Sequence, residues 1–174
     1  PGGIYTQGLR DFWERVDFTN KLVNSTVISV TVAVAGIGLA LLNAFALGIG
    51  RVRGRVWFLI FFLMANTLPQ EALAYPLYYF AKYLGLYNTR LSVIIVFSAI
   101  QSAFGTFQLL TRIVAPISRP TLSVLFVFFF IWTWNEFFLP MILLVSTSNQ
   151  TVPLAIAVLQ GQHNMDATTS SASA

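Results

Sequence analysis

Residues 113–144 read IVAPISRPTLSVLFVFFFIWTWNEFFLPMILL, and this stretch decides the fold class. It enters through a basic, proline-flanked turn and carries no charge from Thr121 to Asn135. After the single acid Glu136 it turns apolar again, from Phe137 to Leu144. A helix needs about 20 residues of this kind to cross the hydrocarbon core of a bilayer. Pro120 suits a first helical turn, where the N–H it lacks has no partner anyway. An ionised carboxylate in lipid is costly, so Glu136 is expected to face protein, water or headgroups. Two roles stay open for it. It is either an interfacial carboxylate beside the anchors Trp132 and Trp134 or, with Trp134 and Asn135, part of the lining of a path.

The rest of the composition agrees. Of 174 residues, 56% are hydrophobic and 9% charged, and the mean hydropathy is +0.73; a soluble domain carries about 25% charged residues. These values place the chain among all-α, polytopic transmembrane helix bundles. The net charge of +4 arises from basic residues clustered in turns, which suits the cytoplasmic side of a membrane and not nucleic acid. With no cysteine, disulfides, thiolate catalysis and cysteine metal sites are excluded. The first residue is Pro1, with no signal-peptide pattern after it, so the chain is expected to be incomplete.

Four spans are expected, at about 22–50, 56–80, 91–107 and 120–145. Ahead of them, residues 1–21 place Leu9, Phe12, Trp13 and Val16 on one helical face and mixed charge elsewhere. That pattern fits either a short helix lying on the membrane or a solvated lead-in. Span one carries Gly36, Ala40, Ala44 and Gly48 at every fourth position, a stripe that lets another helix approach closely. Asn43 in the same span is expected to hydrogen-bond to a neighbouring helix in a structural role. Arg51, Arg53 and Arg55 then form a short turn without an acid, the clearest cytoplasmic signal in the chain. Span two meets Pro69, Gln70, Glu71 and then Pro76, so it should break near Leu68 and continue as a partly embedded, externally facing segment. Gly85 and Asn88 mark an external turn before span three. Arg112 and Arg119 flank the turn between spans three and four, which puts that turn inside and both termini outside. Basic residues divide five against five between the sides; the inner turns are distinguished by being short and free of acids. From Ala167 onward only Ala, Thr and Ser remain, a flexible-tail composition.

Several chemistries are missing. No phosphate-cradling glycine loop precedes a Lys and a Ser or Thr, no His and carboxylate cluster has metal spacing, and no nucleophile elbow occurs. The lone His163 reads as solvated. Glu71 and Glu136 are too few for a carboxylate proton relay. The residues alone thus describe a membrane transport subunit with no catalytic site, no metal and no cofactor of its own.

Ordered motifs add a resemblance. Asn24-Ser25 opens span one and Ala44 to Leu47 precede the arginine turn. Leu68-Pro69-Gln70-Glu71, Tyr75-Pro76-Leu77-Tyr78 and Leu84-Gly85-Leu86-Tyr87-Asn88-Thr89 follow, then Phe104-Gly105-Thr106, Ile113 to Pro120, Trp134-Asn135-Glu136-Phe137 with Leu139-Pro140, Val152-Pro153-Leu154 and Gln160-Gly161-Gln162. In this collinear order the chain resembles the inner-membrane permease subunits of bacterial binding-protein-dependent ABC importers for sugars, the type that includes the maltose and glycerol-3-phosphate systems. The resemblance implies a multi-pass protein of the bacterial inner membrane. It would pair with a second permease subunit, receive solute from a periplasmic binding protein and be driven by a cytoplasmic ATPase dimer that holds the ATP and Mg. It also implies that Thr151 to Asn164, with Gln160, Gly161 and Gln162, form an outer loop toward the binding protein. Asn135 and Glu136 would then lie near the outer part of the path, and Arg112 and Arg119 would flank the ATPase side. A secondary transporter or channel working without ATP is the alternative; no inverted repeat supports it.

The sequence departs from that family in the middle. Members carry a helical coupling loop that begins Glu-Ala-Ala and inserts into the ATPase, and this chain has none; the first and last of about six spans are missing too. Phe104-Gly105-Thr106 looks like the end of span three and Phe107 to Val114 like the far end of the coupling segment. A gap or deletion is therefore expected at Thr106 and Phe107.

Overall fold

The computed structural model describes Trp13 and residues 17–48, 53–67, 69–112 and 119–161. Among the described residues all regular structure is helical: α1 (Phe18–Gly48), α2 (Arg55–Thr67), α3 (Ala74–Tyr83), α4 (Arg90–Arg112), α5 (Arg119–Asn135) and α6 (Phe138–Leu143), then α7 (Val152–Gly161). Single 3-10 turns cover Gln70–Leu73 and Thr147–Asn149. The helix α1 is the central post. It packs first along α4 and then along α5, while α2 leans on α4 and α3 on α6.

Two apolar layers fill the bundle. Toward the arginine turn, Ala33, Ala40, Ala44, Leu109, Leu125 and Phe129 form one cluster. Toward the opposite end, the polar-loop end, Ile28, Val32, Ala81, Val93, Phe97, Leu139 and Leu143 belong to the other. The small residues of α1 set how close the helices come. A Cβ on Gly36 would lie 3.4 Å from both Gln101 Cβ and Phe129 Cδ2, and one on Gly105 would lie 2.8 Å from Ala40 Cβ and 3.1 Å from Phe129 Cζ. Ala40 and Ala44 are buried in the same contact, whereas Gly48 at the helix end is half-exposed. Lipid is as apolar as leucine, so dispersion at such close range replaces the missing hydrophobic drive. Asn43 Nδ2 adds a bond from α1 to Thr106 Oγ1 on α4, at 3.4 Å.

The expected break at Thr106 and Phe107 is absent, and span three does not stop near 107. The helix α4 runs without interruption from Arg90 to Arg112, and Thr106 Oγ1 donates to the Ser102 carbonyl one turn back at 2.6 Å. The reason is phase. Val93, Phe97, Gln101 and Leu109 are buried, and with the buried Gly105 they make one row at four-residue spacing across the join. No proline or glycine between Thr106 and Leu110 interrupts it.

The other spans differ from expectation for local reasons. Helix α1 starts at Phe18, four residues before the expected span. Span two divides into α2, a 3-10 turn and α3, because Pro69 is extended (φ −61, ψ 131) and cannot accept a helical predecessor. Span four is also two helices, with Glu136 and Phe137 between them. Pro140 lacks the N–H that would bond Glu136 O, and its ring crowds that carbonyl. Residues 1–12, 14–16, 49–52, 68, 113–118 and 162–174 lie outside the described residues, and with them most of the lead-in and His163.

Much apolar surface stays uncovered. Helices α1 and α4 contain stretches long and apolar enough to cross a membrane, while α2, α5 and α7 are shorter apolar helices. None of the described side chains of α2 is buried, although its sequence is RVWFLIFFLMANT. An all-apolar helix with no buried side of its own is stable against lipid or other helices, so the chain is an all-α membrane bundle.

Crowding at Gly105 sets up a paired experiment. Gly105→Ala is expected to cost about 1–3 kcal/mol by overpacking. Gly38→Ala, where an added Cβ meets nothing within 4 Å, is expected to be neutral or to gain up to about 1 kcal/mol of helix propensity. Thermal unfolding of both variants in detergent checks the contrast.

Candidate functional site at the polar-loop end

Side chains from distant parts of the chain converge where α1 begins. Asn20, Lys21, Asn24 and Ser25 occupy one stretch of the first two turns of α1, and helical spacing puts them toward one neighbour. That neighbour is the loop from Leu144 to Thr151. Asn20 Nδ2 donates to Ser148 O at 3.0 Å. Asn24 Nδ2 donates to Ser148 O at 2.7 Å and to Gln150 O at 3.0 Å. Lys21 Nζ donates to Thr147 O, and Ser25 Oγ accepts the Val152 N–H at 2.9 Å. Lys21 and Asn24 are essentially fully buried, at 1% and 0% exposure. A loop folded back on a membrane bundle cannot leave its carbonyls unpaired, and α1 supplies the donors.

A second clamp grips the same loop from the other side. The turn after α3 places Gly85 and Asn88 at positive φ, 67° and 60°, conformations that Gly and Asn tolerate best. Asn88 N–H then donates to Leu143 O at 3.0 Å, and Asn88 Oδ1 accepts the Ser146 N–H at 2.8 Å. Its Nδ2 donates to Ser146 Oγ, and its carbonyl accepts from Asn149 Nδ2 at 2.7 Å. The turn also holds Lys82, whose ammonium lies 5.0 Å from the Tyr78 ring centroid and 5.7 Å from that of Tyr87. The side-chain hydrogen bond to Tyr78, followed by Coulomb attraction, raises its pKa above the ordinary lysine value.

The sequence candidates are placed differently. Trp134 is half-buried and stacks on Phe130 at 5.5 Å. Asn135 is exposed, and its Nδ2 returns to Ile131 O at 2.8 Å. Glu136 Oε1 accepts the Phe138 N–H at 3.1 Å, so its carboxylate satisfies an orphan donor at the start of α6. Each is engaged locally. Gln160 and Gly161 are exposed at the end of α7; the segment from Val152 to Gly161 is a helix rather than the loop expected of it, because Pro153 sits in its first turn. Gln162 lies outside the described residues, as do the side chains of Arg112 and Arg119, which end α4 and open α5. Glu71 is exposed in the 3-10 turn. Among the described residues no three His, Cys, Asp or Glu side chains stand together as metal ligands would.

Sequence reasoning missed three residues. Lys21 belonged to a charged lead-in by composition, and Asn88 to a turn by type; their partners lie 126 and 58 positions away. Gln101, the one amide inside span three, is fully buried and donates to Thr133 Oγ1 at 2.7 Å and Phe129 O at 3.3 Å. An isolated Gln in phase with Val93, Phe97 and Leu109 was its signal.

No protein-family model matches the chain. Curated relatives do match it along most of its length. The trehalose/maltose transport system permease protein of Thermococcus litoralis is 28% identical over 171 residues, 84% of this chain and 62% of the relative. The lactose transport system permease protein of Rhizobium radiobacter is 27% identical over 192 residues, 94% and 68% respectively. This chain is similar to the permease subunits of ABC sugar transport systems. An inner membrane ABC transporter permease of Escherichia coli is also similar, 26% identical over 82% of the chain and 60% of its own length. These relatives are named as transport permeases, not enzymes. The chain spans 60% to 68% of the length of these three relatives.

Asn88→Ala removes the side chain that holds Ser146 and puts alanine at positive φ. It is expected to cost about 2–4 kcal/mol and to raise amide hydrogen exchange at Ser146 more than at Val93. Asn88→Gly, which relieves the backbone strain but not the lost bonds, should recover part of the stability and none of the protection.

Proposed function

We propose that this chain is the core of a permease subunit of an ATP-driven importer in the bacterial inner membrane, passing a sugar or related small polar solute inward. The observation that carries the reading is the ordered match to sugar permeases, joined to a helical bundle whose outer surfaces are apolar. Four crossings, with the arginine turns inside and the polar-loop end outside, follow from the purity of the basic turns. A second permease, a periplasmic binding protein and an ATPase dimer supply what this chain lacks. It contains no nucleotide-binding motif, so ATP and Mg belong to the partner.

The residues of the coupling segment that the family resemblance implies would belong between Thr106 and Phe107, where the end of span three and the tail of that segment abut. Their removal leaves the buried row of α4 in phase, so the bundle folds without them. What is lost is the contact that transmits ATP hydrolysis. The doubly clamped loop then makes a fixed outer surface beside α7, with Gln160 and Gly161 exposed for a binding protein.

In proteoliposomes with the partner subunits of a relative such as the trehalose/maltose system, this chain is expected to assemble but to support no ATP-driven uptake of radiolabelled solute. Inserting the relative's coupling segment between Thr106 and Phe107 is expected to restore it. ATP-driven uptake by the unmodified chain would overturn the missing-segment reading, and uptake that persists without nucleotide would point to a secondary transporter or channel.

A further inference from the structure

The helix α3 has two faces, and only one has a partner in the bundle. Leu77 and Ala81, one turn apart, face the apolar layer at the polar-loop end. Opposite them Tyr75, Tyr79 and Tyr83 stand in a row at four-residue spacing, exposed at 72%, 52% and 88%, with Phe80 exposed beside them. The Tyr75 and Tyr79 rings pack at a 54° tilt with centroids 4.7 Å apart and share a hydroxyl hydrogen bond of 3.3 Å. The residue type matters here, because a tyrosine ring is apolar while its hydroxyl keeps a hydrogen-bonding tip.

We propose that this face of α3 is seated in the headgroup layer of the membrane, with the tyrosine rings at the hydrocarbon boundary and Lys82 among lipid phosphates. Two features of the chain favour lipid over a protein surface. The helix that precedes it in the chain, α2, is apolar and has no buried described side chain. Its charge is also mainly positive: Lys82 lies on α3 and Arg90 follows it, against the single acid Glu71 one turn before Tyr75, a balance that complements anionic phosphate. Aromatic rings and lysines flanking an apolar span anchor a segment at this depth. The break at Pro69 is what frees α3 from the line of α2 and lets it take this position.

The inference rests on the membrane reading above, and the test separates the two. The chain has no cysteine, so Tyr79→Cys, Tyr83→Cys and, as a reference in α2, Phe61→Cys each give one spin-label site. The full chain is reconstituted into phosphatidylethanolamine and phosphatidylglycerol vesicles, and collision with oxygen and with a nickel chelate is measured. Labels at Tyr79 and Tyr83 are expected to meet both reagents to comparable degrees, and the label at Phe61 oxygen alone. Tyr83 is almost fully exposed, so its variant removes no packing and guards against misfolding at Tyr79. Nickel alone at both α3 sites would overturn the proposal by placing the face in water, and neither reagent would overturn it by showing a protein partner. Nickel in place of oxygen at Phe61 would overturn the membrane reading itself, and this proposal with it.

Discussion

The close approach of α1, α4 and α5 around Ala40, Gly105 and Phe129 is the constraint on which the rest of the bundle depends. Nothing in lipid squeezes helices together as water does, so association requires surfaces that interlock at short range. Glycine at 36 and 105 and alanine at 40 and 44 provide that surface, and Phe129 fills the cleft they leave. The buried polar bonds are layered onto this contact. Gln101 reaches Thr133, and Asn43 reaches Thr106, because the helices already lie close enough for short side chains to span the gap. A larger residue at Gly105 would separate all three helices at once.

With that post in place, the polar-loop end follows from the need to pair backbone groups. The loop after α6 presents the carbonyls of Thr147, Ser148 and Gln150 toward α1, where Lys21 and Asn24 meet them, and Asn88 pairs its other side. The motifs behind the family resemblance, Asn24-Ser25 and the Leu84 to Thr89 turn, are these clamps. Their likeness to sugar permeases thus has a mechanical content: they hold the polar loop in one position relative to the bundle. At the arginine end α4 passes through Thr106 and Phe107 in one piece because its buried row never changes phase.

The parts of this fold legible in sequence were those encoded locally. Charge-free runs announced the long helices, four-residue spacing of Gly36, Ala40 and Ala44 marked a packing stripe, and Pro69 marked the bend after α2. The division of span four was encoded as plainly, since Pro140 forbids a helical bond to Glu136, but the apolar run around it concealed the rule. Lys21, Asn88 and Gln101 were beyond reach for another reason: each is defined by a partner far along the chain, and a side chain's type does not say what it will meet. Glu136 was legible as a polar group inside an apolar run, but not its local bond, in which its carboxylate accepts the Phe138 N–H.

The most direct measurement is a disulfide between α1 and α4 in the native membrane. Asn43 and Thr106 touch across the helix pair, and the chain has no other thiol to compete. In the double variant Asn43→Cys with Thr106→Cys, close packing at the join predicts rapid oxidation and loss of both sites to a thiol-reactive polymer. If both thiols stay reactive after oxidation while each single variant remains folded, α4 does not lie on α1 in this register, and the three-helix contact is contradicted.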